Sequence, residues 1–104
     1  MKVTINEKEV VLKYGFKPLM IYEKLTGESF QAEGLTEVLT LFYACILATG
    51  KIDDLTFDGF IEWMDEHPEQ LTAFSQWLST IFKVQEKLNG TEEKPKERGR
   101  TKKK

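Results

Sequence analysis

Few side chains in this sequence are of types that do chemistry, and their spacing argues against it. His67 is the single histidine and stands between Glu66 and Pro68. An imidazole there can act as an acid–base group or ligate a metal. No second His and no nearby Cys supplies a ligand set, however, and a polar residue in an interhelix turn accounts for it. Cys45 is the single cysteine and sits among Tyr43, Ala44, Ile46 and Leu47. Reactive thiols lie in electropositive, accessible places, so a thiol in this setting reads as a small core hydrophobe. The acidic pairs Asp53-Asp54 and Asp65-Glu66 lack the ligand spacing of a calcium loop. Asp53 and Asp54 precede an expected helix N-terminus, where negative charge is favourable. The glycines are scattered and form no phosphate-cradling loop. These observations together predict a chain that is not an enzyme and takes no cofactor or metal.

The basic residues gather at one end. Residues 1–90 hold 8 Lys/Arg against 14 Asp/Glu, a balance of −6, while residues 91–104 hold 7 against 3, a balance of +4. The end contributes Arg98, Arg100, Lys102, Lys103 and Lys104, an arm that can contact phosphates. It carries no aromatics for base stacking and follows an acidic body, which argues against nucleic acid as the main partner. A small nucleic-acid-associated or regulatory protein using this arm is the alternative function. From Thr91 onward the segment has too little apolar surface to offset its ordering entropy and is expected to be a disordered tail.

Binding to protein is the remaining chemistry. Trp63 lies roughly 120° around its helix from the apolar stripe, and Trp77 lies at the edge of its own, with Val84 one heptad beyond. Tryptophan is enriched at binding hot spots, so Trp63, Trp77 and Val84 are candidate protein contacts. Both indoles also suit the core of a small domain.

The elements that position these residues follow from pattern. The 104 residues make one domain by size, expected over 1–90, and twelve aromatics supply its core. Lys2–Asn6 alternates, and Glu9–Tyr14 reads as a second short strand from Val10, Val11, Leu12 and Tyr14, which predicts a β-hairpin that must pack on something. Pro18 suits a first helical turn, Ile21, Tyr22 and Leu25 share a face, and Gly27 suits a left-handed helix ending. Leu35, Val38, Leu39, Phe42 and Ile46 form a stripe on a helix over 35–49 whose small or polar back is Glu37, Thr40, Ala44 and Ala48. Thr56 is a good N-cap for a helix with Phe57, Phe60, Ile61 and Met64 on one side. A fourth helix opens at Pro68, carries Leu71, Phe74, Leu78, Ile81 and Phe82, and closes at Asn89-Gly90. The expected fold is α+β, a hairpin packed on about four helices. A lone cysteine, no leader and no long apolar run predict a soluble protein of a reducing cytoplasm with no membrane partner.

The opening cadence carries a resemblance. Val3-Thr4-Ile5-Asn6-Glu7-Lys8-Glu9-Val10 runs into Leu12-Lys13-Tyr14-Gly15-Phe16. Leu19-Met20-Ile21-Tyr22-Glu23-Lys24-Leu25-Thr26-Gly27 follows, then Ser29-Phe30 and the Tyr43-Ala44 step. This pattern, over roughly residues 1–65, resembles the small tail assembly chaperones of long-tailed, siphovirus-like bacteriophages and prophages. The resemblance implies a protein of the bacterial host cytoplasm, absent from the mature virion, that coats the long helical tape measure protein before the tail tube forms. Self-association is a further possibility, and a structural tail component retained in the virion is a third function. The family often makes two lengths from one gene by frameshifting. The run Lys102-Lys103-Lys104 requires adenine-rich codons on which such slippage can occur.

Overall fold

A computed structural model describes residues 1–31 and 33–90, with side chains as far as Lys83. Within it a hairpin precedes four helices, which is the α+β architecture expected. Strands β1 (Lys2–Ile5) and β2 (Lys8–Val11) pair antiparallel, with Lys2 opposite Val11, Val3 opposite Val10, Thr4 opposite Glu9 and Ile5 opposite Lys8. The turn is the pair Asn6-Glu7, so β1 ends one residue sooner and β2 begins one residue sooner than the sequence pattern suggested. Asn6 and Glu7 both take positive φ, 51° and 67°. A two-residue turn with both φ positive follows the natural twist of the strands, and Asn tolerates that geometry better than Glu does. Strict alternation then sets Val3, Ile5, Val10 and Leu12 into the core and leaves Lys2, Thr4, Glu9 and Val11 outside.

Helix α1 (Phe16–Thr26) begins two residues before Pro18, so the proline is its third residue and still lacks no needed donor. Gly27 ends it at φ 78°, its N–H donating to the Glu23 carbonyl over 2.7 Å. Tyr22 is buried and meets Phe30 edge to face, 5.3 Å between centroids. Leu25, expected on the same buried face, stays half-exposed.

Helix α2 (Leu35–Ala48) is the centre of the fold, and every residue from Thr40 to Ile46 is buried. The expected polar back therefore does not face solvent at Thr40 or Ala44. Thr40 satisfies its hydroxyl on the Thr36 carbonyl at 2.7 Å, and Ala44 is small enough for neighbours to close over it. Leu35, expected in the buried stripe, is exposed at the helix start. Helix α3 (Phe57–Glu66) is capped by Thr56, whose hydroxyl oxygen accepts from the Gly59 N–H at 3.0 Å. Helix α4 (Glu69–Gly90) follows after Pro68. Phe42 holds the last two helices to α2 through Phe60 at 5.3 Å and Phe74 at 4.2 Å. Tyr43 donates its hydroxyl to the Leu55 carbonyl at 2.7 Å, fixing the loop before α3. The hairpin, all four helices and the loop residues Ile52 and Leu55 contribute to one apolar cluster.

Candidate protein-binding surface

Cys45 and His67 are each taken up by their surroundings, while Asp53, Asp54, Asp65 and Glu66 are exposed. Cys45 is fully buried, and burial pushes its thiol up to about 12, so it is a neutral core side chain. His67 places Nδ1 3.0 Å from the Trp63 carbonyl oxygen, and its ring lies 5.3 Å from that of Trp63. The imidazole thus caps the end of α3, where carbonyls lack helical partners. Among the described residues no group of His, Cys, Asp or Glu is arranged to hold a metal ion.

The two tryptophans separate. Trp63 is a core residue, 6.0 Å from Phe42 and 6.1 Å from Phe60 between ring centroids. Its helix is enclosed more widely than one stripe, because Phe42 reaches it from α2. Trp77 is partly buried, packed at 5.7 Å on Phe74. The Val84 side chain and the basic residues Arg98, Arg100, Lys102, Lys103 and Lys104 lie outside the described residues.

The exposed apolar surface lies elsewhere. Phe16 is 85% exposed and Met20 60%, one turn apart on the same face of α1. Val11, at the end of β2, is 52% exposed. Phe16 and Val11 both border a half-open hollow of about 600 Å³, whose apolar wall includes Tyr14, Pro18, Cys45 and Ala48. Scattered exposed apolar residues are ordinary, but an aromatic this bare at the mouth of a concave apolar wall is the usual arrangement of a binding site. Lys13, Lys17 and Lys51 stand around the hollow with Glu9, a local excess of positive charge on an acidic body.

Periodicity could not distinguish this surface. Phe16 precedes the expected start of its helix, and Met20 falls off the Ile21–Tyr22–Leu25 face. An apolar residue off the buried face was the available signal. Among the described residues no helix is long and apolar enough to cross a membrane. No family model, curated protein or solved structure matches this chain.

Proposed function

We propose that this chain is a non-catalytic protein-binding module, and that it serves as a tail assembly chaperone for the tape measure protein of a long-tailed phage. The bare Phe16 at the mouth of the apolar hollow, with Met20 exposed one turn further along α1, carries this reading. A tape measure protein is long and helical and has apolar stripes with nothing to cover them before assembly. Phe16 and Met20 supply an apolar contact, and the hollow receives a projecting side chain, in the manner of a helix laid in a groove. The acidic body keeps many copies bound along one filament soluble by mutual repulsion.

Co-expression with the tape measure protein encoded in the same genome tests the reading. The expected result is a soluble complex that survives moderate salt, since apolar contact does not weaken as phosphate binding does. Mass spectrometry of purified particles should find the tape measure protein without this chain. A tape measure protein that stays insoluble with the chain present, or the chain itself in the particles, would refute it.

A further inference from the structure

The outer edge of β2 borders the hollow and carries a pattern of its own at Glu9, Val11 and Lys13. Leu12 donates its N–H to the Met1 carbonyl at 2.7 Å, and the Met1 amino group reaches back to the Leu12 carbonyl at 3.5 Å. Bonded and non-bonded pairs alternate along an antiparallel ladder. Val3–Val10 and Ile5–Lys8 are therefore the bonded pairs, and Lys2–Val11 and Thr4–Glu9 the non-bonded ones. It follows that the N–H and C=O groups of Glu9 and Val11 point away from β1. Among the described residues none of these groups has a hydrogen-bond partner.

Glu9, Val11 and Lys13 are all exposed and alternate in sequence; Glu9 and Val11 lie in β2, and Lys13 follows Leu12, which still pairs with Met1. An acidic, an apolar and a basic residue at such spacing are self-complementary under a twofold axis through the middle one. Turned antiparallel on itself with Val11 opposite Val11, the strand sets Glu9 opposite Lys13 on both sides. Opposite charges directly across an antiparallel pair are stabilising and like charges are not. The outward groups of Val11 fall at a bonded position in this register. The other edge has no such pattern. A twofold axis at Val3 sets Lys2 opposite Thr4, and one at Lys2 sets like charges together.

We propose that the outer edge of β2 pairs with the same edge of a second copy of this chain, forming a four-stranded antiparallel sheet with Val11 on the twofold axis. This pairing does not depend on the tail assembly reading; it covers the β2 side of the hollow and leaves Phe16 and Met20 on α1 outside it. It satisfies the unpaired edge, which would otherwise recruit any extended chain. It also presents two α1 surfaces from one particle, so that one bound partner raises the effective concentration of the second site.

Sedimentation equilibrium of the full chain over a concentration series tests the pairing. The expected result is a reversible dimer of the 12.1 kDa chain. Glu9→Lys alone and Lys13→Glu alone should each weaken it about tenfold, because two charge pairs become repulsive at once. An equimolar mixture of the two variants should recover a dimer, since every Glu then again faces a Lys. Both side chains are exposed, so neither change threatens the fold. Val11→Pro removes one outward N–H and no bond to β1, and should also leave a monomer with an unchanged circular dichroism spectrum. A single 12.1 kDa species throughout would overturn the proposal. A dimer indifferent to the reversals, or reversals that mixing does not rescue, would overturn it equally.

Discussion

Phe42 of α2 stacks face to face on Phe74 of α4, with ring centroids 4.2 Å apart and planes 4° from parallel. Both rings are fully buried. Phe42 also meets Phe60 and Trp63 nearly edge-on, so a single side chain joins three helices. Phe42→Ala should destabilise the domain by about 3–5 kcal/mol, from lost burial and the cavity left behind. Urea unfolding gives the value, and a loss below 1 kcal/mol would mean that Phe42 is not the centre of the core.

The tryptophans should differ in the same assay. Trp63→Ala removes a core ring and should cost about 3–5 kcal/mol. Trp77→Ala removes a ring that is already partly in water and should cost clearly less. Equal losses would place both indoles in the core.

The hairpin turn offers a stabilising change. Glu7 sits at φ 67°, where an L side chain with a Cβ is strained by about 1–2 kcal/mol. Glu7→Gly relieves this and produces Asn-Gly, the preferred pair for such a turn. The unfolding midpoint should rise, and a fall would show that Glu7 makes a contact worth more than its strain.

How far each of these features was legible depended on how local its cause is. Gly27 and Thr56 announce helix ends because their own backbone or side chain makes the cap, and the hairpin follows from alternation within a dozen residues. The exposure of Phe16 and Leu35 has no such local mark. A helical stripe says which residues share a face, but whether anything covers that face depends on elements distant in the chain. Trp63 was open between core and surface for the same reason, since Phe42 encloses it from another helix. The edge of β2 became readable only with the register, because alternation in sequence does not say which peptide groups point outward.

Alkali should weaken the fold partly through Cys45. Its thiol is pushed from an ordinary 9.0 up to about 12 by burial, so the folded state favours the neutral form. The stability this contributes is intact below pH 9.0 and is lost progressively as pH rises towards about 12. Tyr43 is also raised by burial and adds a loss of the same sign above its ordinary 10.0. Between those onsets the decline belongs mainly to the thiol. Cys45→Ala should flatten the slope of stability against pH in that interval, whatever its effect on absolute stability. An unchanged slope would show that the thiol ionises as freely in the folded chain as in the unfolded one.

Titration of the purified tape measure protein with this chain tests the central claim most directly, comparing the natural sequence with the pair Phe16→Ser and Met20→Ser. Both side chains are exposed, at 85% and 60%, so the melting temperature should hold. The account predicts saturable binding by the natural sequence and an affinity lowered by about 2 kcal/mol or more in the double variant, the loss expected when hot-spot side chains are removed. Binding of equal strength by both chains would show that the partner docks elsewhere, and no binding by the natural chain would contradict the account outright.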